Sequence, residues 1–379
     1  MALQTTTNPT DFQYRRQEYL ARIAWPELEY NLRMAQFFET ETVPARGLKA
    51  ARFYRWRKAR QATGTAGPRQ LTEGGQAARN SEVAAGYVDC YASQRGDDFS
   101  LSDISVATDI LDRLKANMSV IMKDAALNFD GILMAAILGD ATTLAKANAL
   151  GLGNAQTTLF NSNNNYGIAQ ANYFERFAAV PNTGNSAADF ATLAGLTAAQ
   201  AKFTRLENLR AMTQLRLNDV MPPDGKAFPA VLSPAMIYDM RQDATLVQSM
   251  TNRKADGGKD ARLYKWESFE LDGAAFIETT VPWIEAAGGY GIYNAAGAIN
   301  TILYMGKDVG GMIELSDKRA GGSQAKLKWE ILDKADKSDI YNQTIVGAWK
   351  AFFGAILKLT SEPSDVPHVC ALRCKSTFA

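Results

Sequence analysis

Ile104, Ala107, Leu111, Leu114, Met118, Ile121, Ala125, Ile132 and Ala136 keep mostly to three- and four-residue intervals. That spacing lines one face of a helix. No proline or glycine interrupts before Gly131, and Gly139 is a natural stop. Ser100 or Ser102 is expected to cap the start, with Asp103 in the first turn. The helix expected over 102–138 spans about 36 residues, or roughly 54 Å at 1.5 Å per residue. It is longer than an ordinary globular helix. No second long heptad run exists to pair with it, so it reads as the spine of an elongated domain rather than half of a coiled coil.

The rest of the chain must be arranged around that spine. Residues 8–39 show near-helical spacing of Phe12, Tyr19, Ile23, Tyr30 and Met34, with Pro26 as a break. The stretch 140–195 is rich in Ala, Asn, Thr and Gly and reads as a loop-dominated surface excursion with a small hairpin. Helical spacing returns from Thr197 to Leu217 and ends before Pro222-Pro223. Ser233-Pro234 opens a short helix to Met240. Strands are expected at 228–232, 265–271, 274–280, 298–305, 311–315 and 327–332, and again from Thr344 to Leu359. The fold class is α+β.

Before the spine lies a segment of unusual chemistry. Between Arg46 and Arg60 stand seven basic residues and no acid, interleaved with Phe53, Tyr54 and Trp56. As a strand over 50–58, it puts Arg52, Tyr54, Trp56 and Lys58 on one side and Phe53, Arg55 and Arg57 on the other. Neither side is plainly apolar, so neither reads as a face for the chain's own core. Residues 83–99 read as the return strand, which makes 46–100 a long two-stranded arm. Such an arm needs a partner from outside, because a bare strand edge invites uncontrolled pairing.

Charge limits the choice of partner. The chain carries 41 basic and 40 acidic residues, a net charge of +1. A protein that coats nucleic acid draws its affinity from a large cationic excess, which is missing here. The arm also lacks the apolar stripe of a membrane-bound segment, and no run of eighteen apolar residues is present. Met1 to Asp11 is polar and lacks the pattern of a signal peptide, and three cysteines give no disulfide framework. Both point to a cytoplasmic setting.

Catalytic chemistry finds little support. The sole histidine, His368, stands near Cys370 and Cys374 in what reads as a polar surface tail. Three ligands fall short of a structural zinc site. Gly151-Leu-Gly153 and Gly289-Tyr-Gly291 lack the third glycine of a dinucleotide loop. Asp97-Asp98 reads as helix-start acid rather than as a catalytic pair. The expectation is no catalytic residue, no cofactor and no metal.

The order of motifs carries a resemblance. A basic hairpin bears Leu71-Thr-Glu-Gly-Gly75; Tyr87-Val-Asp-Cys-Tyr91 leads into Phe99-Ser-Leu-Ser-Asp103 and the spine. Leu303-Tyr-Met-Gly-Lys-Asp-Val-Gly310 and Val346-Gly-Ala-Trp-Lys-Ala-Phe-Phe353 follow late in the chain. Over about residues 10–360 this resembles the major capsid protein of tailed bacteriophages, with the Hong Kong 97-type fold. More narrowly it resembles a podovirus coat-protein family. The resemblance implies an N-terminal arm (1–45), an extended loop (46–101), a peripheral domain with the spine (102–220), and an axial domain (221–343). It then implies a return strand to the peripheral sheet and a tail (344–379).

The same resemblance implies hexamers and pentamers that close an icosahedral shell around double-stranded DNA in the virion, assembled in the host cytoplasm. It implies a separate scaffolding protein, a portal and an optional decoration protein as partners, with the packaged DNA adjacent but not recognised. Intersubunit contact is expected from Arg52, Phe53, Tyr54, Arg55, Trp56, Arg57, Lys58 and Glu73. Two other readings stay open: an encapsulin-like nanocompartment shell, and a single-strand nucleic-acid-binding protein using the arm.

Overall fold

The computed structural model describes residues 32–44, 50–58, 83–91, 93–102, 113–138, 174–180, 192–193, 195–217, 219–243, 267–279, 284–285, 299–316, 328–332, 343–358 and 368–377. Two mixed sheets share one long helix, α1 (Arg113–Leu138).

The first sheet has five strands, β1 (Phe38–Pro44), β4 (Ser93–Ser102), β11 (Gly310–Ser316), β12 (Lys328–Leu332) and β13 (Thr344–Leu357). The fourteen-residue β13 is its organiser. It pairs antiparallel with β4 from Thr344↔Ser102 to Phe353↔Ser93, and also with β12 and β11. Ile345, Trp349 and Ala351 alternate inward and are buried. The intervening inward position is Gly347, where a Cβ would come within 2.5 Å of the Phe99 ring on β4. Glycine is required there by close approach.

The second sheet runs β5 (Phe174–Phe177), β14 (Val369–Lys375), β10 (Ile299–Met305), β6 (Phe228–Leu232), β8 (Ala274–Glu278), β7 (Glu267–Leu271), with β9 (Ile284–Glu285) also on β10. Both of its faces are covered. Val231, Ile277, Leu303, Met305, Val369 and Ala371 belong to the core under α1. Phe228, Leu232, Phe276, Ile302, Tyr304, Cys370, Leu372 and Cys374 belong to a second core under α2 (Arg205–Leu217) and α3 (Pro234–Gln242). Strands buried on both faces tend toward continuous apolar runs; β10 and β14 follow this except at Asn300, Thr301, Arg373 and Lys375, which are buried polar positions.

Helix α1 closes the first core. Met118, Met122, Ala125, Phe129, Ile132, Leu133 and Ile137 are buried against residues of both sheets. Phe129 lies edge-on to Trp349 at 5.6 Å and 4.8 Å from Phe353, between ring centroids. Asp130 is the polar exception on this face, 1% exposed. Its carboxylate accepts the backbone N–H of Arg33, at 3.0 and 3.2 Å, and of Met34 at 3.1 Å. The chain entering the fold is thereby pinned before β1 starts. Burial pushes the Asp130 carboxyl up to about 7, against the opposing pull of those N–H groups and of Arg33. None of the described helices is long and apolar enough to cross a membrane.

Four sequence expectations need correction. The spine was expected from 102 with Ser100 or Ser102 as cap, but both serines are in β4, paired with Val346 and Thr344. The described helix starts at Arg113. The alternation of Phe99 and Leu101 with serines suits a strand edge against β13 better than a cap. The helical reading of 8–39 fails at its end, since Phe38 opens β1, where β-branched Thr40, Thr42 and Val43 favour strand. Residues 1–31 lie outside the described residues. Of the excursion 140–195, residues 140–173, 181–191 and 194 lie outside the described residues; its described strand β5 pairs parallel with β14 rather than forming a small hairpin.

The fourth correction concerns the expected polar tail, which is an interior strand. All seven residues of β14 are buried, and its register with β10 is unbroken from Ile299↔Lys375 to Met305↔Val369. Arg373 and Lys375 interrupt its apolar residues, yet both are buried. The Lys375 ammonium is satisfied by the Leu196 carbonyl at 2.6 Å, and Asp239 of α3 accepts the Thr377 N–H at 2.9 Å.

The Asp130 clamp gives a pH test. A carboxyl near 7 when folded and about 3.9 when unfolded favours the fold most below about pH 4. That contribution is lost as pH rises through about 7, a difference of order a few kcal/mol. Urea midpoints of wild type and Asp130→Asn at pH 5 and pH 8 should differ accordingly: the wild type loses more stability toward pH 8 than the variant. Parallel pH slopes would remove Asp130 as the titrating group.

Candidate intersubunit surface

The basic segment forms β2 (Ala50–Lys58), which pairs antiparallel with β3 (Val83–Tyr91) from Ala50↔Tyr91 to Lys58↔Val83. The return strand expected as one unit over 83–99 is two. β3 stays with the hairpin, and β4, from Ser93, crosses into the five-stranded sheet. The hairpin therefore has its root in that sheet.

Its two faces differ sharply. On the inner face Phe53, Val88 and Cys90 are buried with Ile313 of β11 and Ile356 of β13. Phe53 is 3% exposed. Its ring lies over Gly311, where a Cβ would come within 2.6 Å of the ring. The neighbouring Gly310 opens toward Phe38 of β1, whose ring a Cβ would meet at 2.4 Å. Consecutive glycines thus give β11 a ring socket on each side. Lys358, just past β13, is buried, pairs with Glu39, and sets its ammonium 5.4 Å from the Phe53 ring centroid. Burial lowers the Lys358 pKa and raises that of the Cys90 thiol to about 12.

On the outer face, Arg52 and Asp89 are direct cross-strand partners joined by a two-pronged ion pair at 2.7 and 3.0 Å. The guanidinium lies 4.0 Å over the Tyr87 ring. Bonding to Asp89 raises the Arg52 pKa further. Tyr54 and Tyr87 are also cross-strand partners, 53% and 51% exposed. Paired aromatics with an adjacent arginine are the residue types that carry energy in protein interfaces.

Two of the expected contact residues have partners within their own chain. Phe53, expected to reach a neighbour, is core within its own chain, because the glycines of β11 leave room for its ring. Arg52, expected to meet an acid or aromatic group outside, finds both in its own hairpin. Tyr54 is exposed on the outer face. The backbone of Arg55, Trp56, Arg57 and Lys58 is in β2, and their side chains lie outside the described residues, as does Glu73 entirely. Tyr87 and Asp89 were missed, although the alternation of Tyr87 and Asp89 with Val88 and Cys90 marks an outer and an inner face.

No group of three metal-ligating side chains occurs among the described residues. Cys370 and Cys374 are buried under α2 and α3, while the His368 ring contacts the Lys307 carbonyl.

No family model and no curated protein matches the chain. Solved structures do. The capsid of Ralstonia phage GP4 aligns at a TM-score of 0.55 and 11% identity, covering 90% of this chain and 87% of that one. The cyanophage Pam1 capsid subunit aligns at 0.53 and 11%, covering 90% and 89%. At such identity the likeness is one of fold: the chain has the α+β, Hong Kong 97-type fold of phage capsid proteins. These matches do not reach the narrower podovirus family.

The socket makes a local prediction. Phe53→Ala removes a buried ring, which costs roughly 3–5 kcal/mol in a packed core, and Gly311→Val denies the ring its place. Both should free the inner face of the hairpin, so Cys90 should become reactive to a thiol reagent while Cys370 and Cys374 stay protected. Cys90 reactivity unchanged from wild type in both variants would mean that the ring does not hold the hairpin down.

Proposed function

We propose that this chain is the major capsid protein of a tailed bacteriophage, forming hexamers and pentamers that close an icosahedral shell around double-stranded DNA. The observation that carries the reading is the match over nine-tenths of the chain to capsid subunits, joined to a hairpin whose outer face ends in exposed Tyr54 and Tyr87. The hairpin is the extended loop, held to its own subunit by Phe53 and offered to a neighbour by its tyrosines. The five-stranded sheet with α1 serves as the peripheral domain and the seven-stranded sheet as the axial domain. On this division β5, α2 and β14 go with the axial sheet, which moves the boundaries expected from sequence.

Net charge supports the role. A shell lining with strong phosphate affinity would oppose packaging and ejection, and a chain at +1 avoids it. A structural subunit needs no cofactor. Scaffolding protein, portal and decoration protein belong to the same proposal as partners, and the virion as the location.

Sedimentation and negative-stain electron microscopy of the concentrated protein, alone and with a co-expressed scaffold, test the reading. Capsomers or shells are expected, and a monomer under every condition would overturn it. A second measurement addresses the outer face. Changing Tyr54 and Tyr87 together to Ala should shift the subunit's melting only slightly, since exposed substitutions usually cost within about 0.5 kcal/mol each. Shell yield should fall severely, because the loss repeats at every contact. Normal shells from this variant would remove the tyrosines from the interface.

A further inference from the structure

We infer that the outward face of α2 is a second lateral contact between copies of this chain, distinct from the hairpin and resting on the shell reading above. The helix has two apolar sides. Ala211, Met212 and Leu215 face inward and are buried in the core it shares with the seven-stranded sheet. Leu206, Leu209 and Leu217 face outward, 56%, 41% and 69% exposed. At 3.6 residues per turn, positions 206, 209, 213 and 217 fall on one stripe. Thr213 is its polar member, and its hydroxyl donates to the Leu209 carbonyl at 2.7 Å. Its hydrogen-bonding need is met inside the helix.

The stripe continues past the helix. Asp219 adopts a left-handed turn (φ 55°), and the Val220 N–H returns to the Leu215 carbonyl. That turn buries Val220 and leaves Met221 70% exposed. The Met221 carbonyl accepts the Lys307 N–H at 2.8 Å, which fixes the turn to the loop between β10 and β11. The helix is equally fixed. Tyr304 donates to Asn208 at 2.9 Å, and Arg205 forms a two-pronged pair with Asp272 at 2.7 and 2.8 Å. The apolar row is thus a rigid platform, and a preorganised surface loses little entropy on binding.

Charge and area select the occupant. Arg205 is paired to Asp272 and Arg210 to Glu207 within the chain. The other charges beside the row, Arg216 and Asp219, are exposed and of opposite sign, so the row carries no cationic excess to draw nucleic acid. It suits an apolar, uncharged surface. Four side chains make a patch of a few hundred Å², notable on a monomer but well under the roughly 800 Å² per partner of a free-standing complex. A contact of that size holds when many identical contacts close a symmetric assembly together, as in a ring of copies. The occupant is therefore a second copy of this chain.

The native thiols allow a clean test, because Cys90, Cys370 and Cys374 are all buried. A Leu217→Cys variant gives one accessible thiol, whose maleimide labelling rate is read in free subunits and in assembled particles. Rapid labelling of free subunits and at least tenfold slowing in particles is expected. In parallel, Leu209→Asp with Leu217→Asp should leave a folded, soluble subunit and weaken each contact by at least about tenfold, enough to abolish particles.

Equal labelling in subunits and particles would overturn the inference while leaving the shell reading intact. Slow labelling already in free subunits would assign the cover to the chain itself. Protection that requires a different added protein would assign the surface to that protein. Either result overturns the inference. A wild-type chain that never assembles would overturn the shell reading first.

Discussion

The burial of one helix face between two sheets is the constraint on which the rest depends. Helix α1 gives the five-stranded sheet something to pack on through Phe129, Trp349 and Phe353. Through the same core it reaches Val231, Ile277 and Leu303 of the seven-stranded sheet. Each such side chain removed from water contributes roughly 1.5–3 kcal/mol. Among the described residues α1 is the helix that lines the core on that side of both sheets. Asp130 sits on this face as a deliberate exception, a buried acceptor that fixes where the chain enters.

From that core the structure grows outward by sockets. β11 carries Gly310 and Gly311 in succession, and strand alternation sends the openings to opposite sides. One receives Phe38, so β1 lies parallel on β11; the other receives Phe53, so the hairpin lies on the sheet. A basic segment that has no evident home in sequence is thereby held by one aromatic ring, while Arg52 is neutralised by Asp89. Among the described side chains of its outer face, the exposed aromatic area is that of Tyr54 and Tyr87. Those two rings suit a partner that matches them in shape and desolvates them.

Much of this order was legible, and the failures have physical causes. β6, β7, β8, β10, β11, β12 and β13 fall within a few residues of where alternation and apolar runs put them. α3 begins at Pro234 as expected, although the Ser233 hydroxyl donates to Asn300 rather than capping the helix. Phe53 was misjudged because a strand's own pattern does not reveal glycines on the strand it will meet. β14 was misjudged because Arg373 and Lys375 look like surface residues until Leu196 and the neighbouring strands supply partners. The leucines of α2 read as core spacing, and sequence alone could not tell which of its two apolar sides has a cover.

The central claim is that each copy keeps its hairpin root in its own sheet and lends the outer face to a neighbour. A cryo-electron-microscopy map of the assembled particle tests it most directly. The account predicts an icosahedral shell in which Phe53 lies over Gly311 of the same subunit and Tyr54 and Tyr87 are covered by an adjacent one. A shell that leaves both tyrosines bare, or places Phe53 in a neighbour's socket, would contradict it.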